Sequence, residues 1–417
     1  MQVLILAAGQ SKRFWPLGDK NFFTFNQKLL IERQIQTLKN AGLKKFIIVG
    51  NKKNLPRLQQ IFSQAKFVEQ KKLNQGMAGA VLSAEKYLNQ PTLIVSTNDL
   101  FQSTEVKKVL QMPNCDGAIL AQKIDQYFPG GYLVLEKNSP KILQIQEKPN
   151  PKKIPSQLIN LVCHFFREPQ KLIFHLKKIK NNRDAGYELA LNKLLQTEKF
   201  FSVENTKKWQ AIKFPWHILN LTENFLQNLK PKIARKTKIA KTAIIKNSII
   251  EDGAQIFDFS IIQNSVISKN SIIGNHTLVR ESMIGKNSVI GAGSEVARSF
   301  LAENVWLHRN YIGDSIITEN ISFGAGAVCA NLRLDKKEIT VKIEQKKFST
   351  GYTKFGAVIG KNCLIGVNAN VMPGVLIGQN CFIGSGVIVN ENLAEQKFCF
   401  DNTKNQILTN KVIQQKD

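Results

Sequence analysis

The run Leu6-Ala-Ala-Gly-Gln-Ser-Lys-Arg13 puts one glycine and two cations at the end of an apolar segment, Val3 to Ala8. Gly9 in such a turn lets the backbone approach a polyphosphate, amide N–H groups can hold its oxygens, and Arg13 adds a fork of charged donors. The chemistry this suits is the binding or transfer of a phosphorylated ligand. Proton transfer needs another kind of residue, and the five histidines, His164, His175, His217, His276 and His308, are the groups that titrate near neutrality. The six cysteines, Cys115, Cys163, Cys329, Cys363, Cys381 and Cys399, form no CxxC pair. A chain of this size does not need disulfide staples, so reduced, cytosolic thiols are expected.

Lys and Arg number 58 against 31 Asp and Glu, a net charge of +27 that favours anionic partners such as nucleotides, sugar phosphates, coenzyme A, nucleic acid or acidic lipid. The lysines are spread in pairs, as in Lys44-Lys45, Lys152-Lys153 and Lys346-Lys347, with no basic and aromatic alternation of the kind that stacks bases. A solvated lysine-rich surface is expected, with no specific nucleic-acid partner. No window approaches the ~18 uninterrupted apolar residues of a transmembrane helix, and the first residues lack the basic region and length of a secretion signal. The expectation is a cytoplasmic protein with no membrane partner.

The elements that must position these residues follow from periodicity. A length of 417 residues is enough for two domains or one domain plus a repeat array. Val3–Ala8, Lys45–Gly50 and Thr92–Ser96 read as buried strands, and Lys28–Ala41 and Met77–Leu88 as helices between them, so residues 1–215 are expected to form an α/β, Rossmann-like domain with a largely parallel sheet. Residues 216–231 read as a connecting helix stopped by Lys230-Pro231. Beyond it Ile250, Ile267, Ile284 and Leu301 recur every 17 residues, with Ile256, Ile273, Ile290 and Leu307 in step. Later Ile359, Ile365, Val371, Ile377, Ile383 and Val389 recur every six. Neither an α-helix nor a hairpin has this period, so a triangular parallel β-helix of hexapeptide repeats is expected over 232–391, with a projecting loop at 332–355 and a polar tail at 392–417.

With Pro16-Leu17, Lys20 and Lys28-Leu-Leu-Ile-Glu-Arg-Gln-Ile, the N-terminal segment resembles the signature of the sugar-phosphate nucleotidyltransferase family. The resemblance continues in order through Gln70 and Leu73-Asn-Gln-Gly76, Asn98-Asp99, Gly131, Glu147-Lys148-Pro149 and Asn160. It implies that Arg13 and Lys20 are catalytic cations, that Ala8, Gly9, Gln70 and Gly76 hold the nucleotide, that Gly131, Glu147 and Asn160 meet the sugar, and that Asp99 carries Mg²⁺. In-line attack on an α-phosphate asks for such cations and for little proton transfer. The stretch Trp209-Gln-Ala-Ile-Lys-Phe-Pro-Trp216 resembles one that commonly supplies a second metal-binding aspartate, and Ala211 stands in that place.

Leu307-His-Arg-Asn-Tyr-Ile-Gly-Asp314, then Phe323-Gly-Ala-Gly-Ala-Val-Cys-Ala-Asn331 and Asp335-Lys-Lys337, resemble the acetyltransferase half of the bifunctional enzymes that make UDP-N-acetylglucosamine, and the hexads after Lys354 look most like the archaeal type. Such β-helices are left-handed. The resemblance implies that His308 is the base that takes a proton from a sugar amine and that Tyr311, Asn331 and Lys337 hold the amino sugar and its phosphate. It further implies acetyl-CoA and UTP as co-substrates and a homotrimer formed through the β-helix. Two alternatives stay open: a thymidylyl- or guanylyltransferase, and a non-catalytic regulatory subunit of the same two-domain type.

Overall fold

The computed structural model describes residues 1–179 and 185–401. The first apolar run forms the strand Gln2–Leu6, buried along its whole length in a nine-stranded sheet. On one side it pairs in parallel with Phe46–Gly50, which pairs in parallel with Lys66–Glu69; on the other it pairs in parallel with Thr92–Ser96. Strand order therefore reverses between Gln2–Leu6 and Thr92–Ser96, where Leu6 faces Ser96. The loops leaving the carboxyl ends of these strands diverge at that point and open a crevice, the usual ligand position of such sheets.

In the rest of the sheet two strands, Leu158–Phe166 and Ile142–Glu147, run against this core. Leu158–Phe166 runs antiparallel to Thr92–Ser96 and also pairs with Gly117–Lys123, while Gly131–Leu135 and Ile142–Glu147 form an antiparallel pair at one edge. The sheet is thus largely of one strand direction, as expected, with these two strands making it mixed. Helix Leu30–Asn40 forms where Leu30, Ile31, Gln34, Ile35 and Leu38 line one face and are buried, with Glu32 Oε2 accepting the Leu29 N–H at 2.8 Å. Gly42, at φ 93°, turns the chain out of that helix.

Contacts divide the chain into two units, Met1–His217 and Ile218 onward, with a helix over His217–Gln227. The second unit is a left-handed β-helix of three parallel sheets with eight, nine and eight strands. Each counted register is one ladder: Ile250 faces Ile267, Ile267 faces Ile284, and Ile284 faces Leu301. All four are at most 1 % exposed, and burial of each isoleucine is worth about 1.5–3 kcal/mol. Ala357, Cys363, Ala369 and Cys381 fill the narrower inward places, fully buried and unpaired as thiols where they are cysteines. Corners are turned by residues at positive φ, among them Asn270, Asn287, Asn304 and Asn320, since asparagine tolerates the left-handed region.

Residues 332–355 do more than project. They contain an antiparallel hairpin, Thr340–Ile343 with Lys346–Ser349, whose Ile339, Val341 and Ile343 are buried. The hairpin lies back on the coils, with Asn392 Nδ2 donating to the Lys342 carbonyl at 2.6 Å. Stacking also continues past residue 391: Leu393 bridges to Ile377, and Phe398–Cys399 pairs with Phe382–Ile383. The expected tail beyond Asp401 lies outside the described residues.

Candidate functional site

The loop after Gln2–Leu6 is held from outside by three buried asparagines. Asn54 and Asn21 donate to the Ala7 carbonyl at 2.9 and 3.1 Å, and Asn51 donates to that of Ala8 at 2.9 Å. With those carbonyls engaged, the turn keeps one geometry. A Cβ built at Gly9 would meet no protein atom within 4 Å, so the space beside it is open cleft. Ser11, where the family usually has a second glycine, takes φ 53° and its Oγ accepts from Lys20 N at 3.3 Å.

Gly9 and Ala8 open onto a cleft of about 650 Å³ that Arg13, Lys20, Gln70, Gly76, Asp99, Gly131, Glu147 and Asn160 also line. Gln70 Nε2 donates to the carbonyls of Gly76 and Lys72 at 2.8 and 3.1 Å, which leaves its amide oxygen as the acceptor it can offer. At the other end Gly131 pairs with Glu147, and a Cβ on Gly131 would lie 3.0 Å from Glu147 Oε2 and 3.7 Å from Asn160 Cβ. Gly131, Glu147 and Asn160 come from three different strands and meet only in the folded sheet.

The centre of the cleft is electrostatic. Burial lowers the Lys20 ammonium to about 8, opposed by Asp99 and aided by Arg13. Burial raises the Asp99 carboxyl, opposed by Lys213, by a hydrogen bond from Trp209 and by Lys20. Trp209 Nε1 donates to Asp99 Oδ1 at 2.9 Å, and Ile212 N donates to the Asn98 carbonyl at 2.7 Å. Ala211 stands opposite Asp99 in a short antiparallel pair. These contacts make the 209–216 segment a clamp on Asn98-Asp99. With a methyl opposite it and lysines as the charges acting on it, the single buried carboxylate of Asp99 sits in a cationic setting that disfavours a divalent ion, and its expected Mg²⁺ ligand role draws no support from that setting.

Residues with no role in the sequence reading complete the site. Lys213 lines the cleft with its ammonium 4.4 Å from the centre of the Phe128 ring. The period-two spacing of Trp209, Ala211 and Lys213 was the available signal. Behind Asn160, fully buried His164 has Nε2 2.7 Å from Asn160 Oδ1 and Nδ1 2.8 Å from the Tyr187 hydroxyl. Because Oδ1 only accepts, Nε2 carries the proton and Tyr187 donates to Nδ1. Asn160 is then turned with its NH₂ away from His164.

In the β-helix, Asn331 Nδ2 donates to the Tyr311 hydroxyl at 3.1 Å and to Asp314 Oδ2 at 2.5 Å. Asp314 is gripped by Arg298 through two bonds of 2.6 and 2.7 Å, so Arg298 is engaged with a carboxylate of the next coil. Gly313 makes room for this pair: a Cβ there would lie 2.6 Å from Asn331 Nδ2 and 2.7 Å from the Tyr311 hydroxyl. His308 is exposed at a corner, its backbone N–H donating to Asn310 Oδ1 at 2.7 Å and its ring making no hydrogen bond among the described residues. Lys337 is exposed on the segment where Asp335 takes a forked pair from Arg333. Tyr311 and Asn331 are thus brought together, while among the described residues no hydrogen bond or ion pair joins His308 or Lys337 to them.

A Rossmann-like unit with a cation-lined cleft, followed by a hexapeptide β-helix, defines a two-domain transferase. The nucleotidyl transferase family matches residues 2–212, and the bacterial transferase hexapeptide (six repeats) family matches residues 356–391. The chain is 32% identical over 406 residues to a bifunctional sugar-1-phosphate nucleotidylyltransferase/acetyltransferase of Sulfurisphaera tokodaii, covering 95% of this chain and 99% of that one. It is 32% identical to the bifunctional protein GlmU of Methanococcus maripaludis strain C7 and 30% identical to that of Methanocaldococcus jannaschii, in each case over 96% of this chain and 97% of the relative. This chain belongs to the bifunctional nucleotidyltransferase/acetyltransferase family and is a transferase with both kinds of domain. No helix among the described residues is long and apolar enough to cross a membrane.

Proposed function

We propose that this protein acetylates glucosamine 1-phosphate from acetyl-CoA and transfers a uridylyl group from UTP to N-acetylglucosamine 1-phosphate. The observation that carries the reading is the convergence of Arg13, Lys20, Gln70, Gly131, Glu147 and Asn160 on one cleft, in a chain that aligns end to end with bifunctional relatives. The Gln70 amide oxygen suits a base with an N–H donor in its pairing edge, as uracil has. The sugar phosphate, held near Glu147 and Asn160, would attack the α-phosphorus. One P–O bond forms as another breaks, and Arg13 and Lys20 offset charge on the equatorial oxygens and the departing pyrophosphate. No step is routed through Mg²⁺.

At the second site His308 would take the amine proton as nitrogen attacks the thioester carbonyl; the C–N bond forms, the C–S bond breaks and coenzyme A leaves as thiol. Tyr311, Asn331 and Lys337 would hold the sugar and its phosphate. A homotrimer is supported by the outward stripe Trp306, Leu364, Phe382 and Phe398, in register along one sheet and roughly half or more exposed in the single chain. Six unpaired cysteines suit a cytoplasmic setting.

The test is one mass-spectrometric incubation with glucosamine 1-phosphate, acetyl-CoA, UTP and Mg²⁺. UDP-N-acetylglucosamine is the expected product; acetylated sugar phosphate alone would remove the uridylyl half of the reading, and product only with TTP or GTP would change the base. His308→Ala should lower thiol release by roughly 10²–10⁴-fold while leaving intact the pyrophosphate release from UTP and supplied N-acetylglucosamine 1-phosphate.

A further inference from the structure

The surroundings of Asp99 ask which charge offsets the triphosphate. Its carboxylate is 5 % exposed, and its Oδ1 already accepts from Trp209 Nε1. Ala211, directly opposite in register, offers only a methyl group. Among the described residues no three His, Cys, Asp or Glu side chains gather at the site, so an ion there would draw its other ligands from phosphate and water. What faces Asp99 is cationic. Lys213 is the strongest charge acting on it and Lys20 the next, and Arg13 acts on both lysines. A divalent ion on Asp99 would therefore have one protein carboxylate as ligand and two fixed ammonium groups as neighbours, an arrangement that repels it.

Lys213 is built into the site. Its backbone N–H donates to His217 Nδ1 at 3.2 Å, and its ammonium lies over the Phe128 ring, which in turn packs edge-on against Trp209 with centroids 5.4 Å apart. The aromatic face attracts the cation and fixes where it sits. Neither Lys213 nor Lys20 forms an ion pair within 4.0 Å or a side-chain hydrogen bond among the described residues, so the N–H donors of both ammonium groups stand open to a ligand in the cleft they line.

We propose that Lys213 is the fixed cation of the reacting centre, so that the nucleoside triphosphate binds through Lys213, Lys20 and Arg13 without a divalent ion on Asp99. Asp99 then serves as counter-ion to the two lysines. This rests on the uridylyl-transfer reading and deepens it by naming the charge that the α-phosphorus meets. The bonds made and broken are those of that reaction, and the negative charge passed to pyrophosphate is met by groups already in place, with no proton, oxidant or further reagent required. A fixed ammonium differs from a recruited ion in one measurable respect: chelation cannot remove it.

The experiment is calorimetric titration of the full chain with UTP, once in EDTA and once in Mg²⁺. Dissociation constants within about threefold of each other are expected, and Lys213→Met, which keeps most of the side-chain volume, should weaken UTP binding about tenfold in both buffers. Manganese added to the nucleotide-free protein should leave the free-ion EPR signal unchanged, whereas the double variant Ala211→Asp, Lys213→Gly should deplete it. UTP binding that weakens about thirtyfold or more in EDTA, or Mn²⁺ uptake by the unaltered protein, would overturn the inference while leaving uridylyl transfer standing. No UTP binding in either buffer would overturn both. Wild-type titrations decide the matter even if a variant does not fold.

Discussion

Trp209 donates its indole N–H to the buried carboxylate of Asp99 at 2.9 Å. The bond ties the last strand of the nucleotidyltransferase unit to the turn after Thr92–Ser96, because Gln210–Ala211 pairs with Asp99–Leu100. A hydrogen bond to a charged group is worth about 1.5–3 kcal/mol, and leaving Asp99 without it pushes an already raised carboxyl further up. Trp209→Phe keeps the ring packed on Phe128 and removes only the donor. It should lower the urea-unfolding free energy by about 1.5–3 kcal/mol at pH 7, and an unchanged value would mean that the bond contributes nothing net.

Lys20 gives the cleft a pH dependence. Its ammonium sits at about 8 in the folded protein, lowered from 10.5 by burial. Below pH 8 it is charged and ready for a phosphate; above pH 8 it is neutral until the ligand itself draws a proton onto it. UTP affinity should therefore fall as pH rises from 8 to 10, by up to about tenfold per unit, with proton uptake on binding visible as a buffer-dependent heat. The folding consequence has the opposite direction: between pH 8 and 10.5 the unfolded chain holds more protons, so this group makes the fold more stable as pH rises. Lys20→Arg should flatten the binding profile at pH 8–10.

How much of this was legible in the sequence depends on whether a residue's role is periodic. Ile250, Ile267 and Ile284 announce the β-helix because identical coils repeat identical demands. The cleft residues were legible as an ordered set of motifs, since each lies at a loop or strand end that keeps its place in the chain. Lys213 and Trp209 are not, because a short strand places them at Asp99 only through its pairing with Asp99–Leu100, a contact no local pattern announces. His164 and Tyr187 carry no local signal either; one is on Leu158–Phe166 and the other on helix Gly186–Leu195, and only packing unites them. The hairpin at 340–349 is hard to see in the sequence because lysines on its outer face mask the alternation of Ile339, Val341 and Ile343.

That buried His164 also predicts an acid limit. Burial lowers its imidazole to about 3 from 6.5, so the folded protein keeps it neutral. Between pH 6.5 and about 3 the unfolded chain takes up a proton that the folded chain refuses, and stability is lost as pH falls, at up to about 1.4 kcal/mol per unit. His217, lowered to about 4, adds a slope in the same window, so the comparison must be made against a variant. In His164→Gln the unfolding free energy should depend less steeply on pH between 4 and 6.5. Loss of the Asn160 contact should also raise KM for the sugar phosphate more than it lowers kcat. A pH slope equal to that of the unaltered protein would show that His164 does not titrate as its burial requires.

Gly313 offers the sharpest test of the second site. It has no positive φ to accommodate, so an alanine is conformationally allowed there, and only space is at issue. The added methyl would stand 2.6 Å from Asn331 Nδ2, 2.7 Å from the Tyr311 hydroxyl and 2.9 Å from Tyr311 Cε1, closer than any of these contacts permits. Asn331 is also held by Asp314, and Asp314 by Arg298, so Asn331 yields at the cost of that chain while Tyr311, partly exposed, can swing away. Gly313→Ala should therefore separate Tyr311 from Asn331 without unstacking the coil, because Ile312 and Gly313 keep their parallel pairing with Val296 and Ala297. KM for glucosamine 1-phosphate in the thiol-release assay should rise about tenfold, with pyrophosphate release from supplied N-acetylglucosamine 1-phosphate and the thermal midpoint unchanged. Unchanged KM would mean that the Tyr311 and Asn331 pair does not bind the amino sugar, and a matching loss in Tyr311→Phe would assign the effect to the hydroxyl and not to a shift in the backbone.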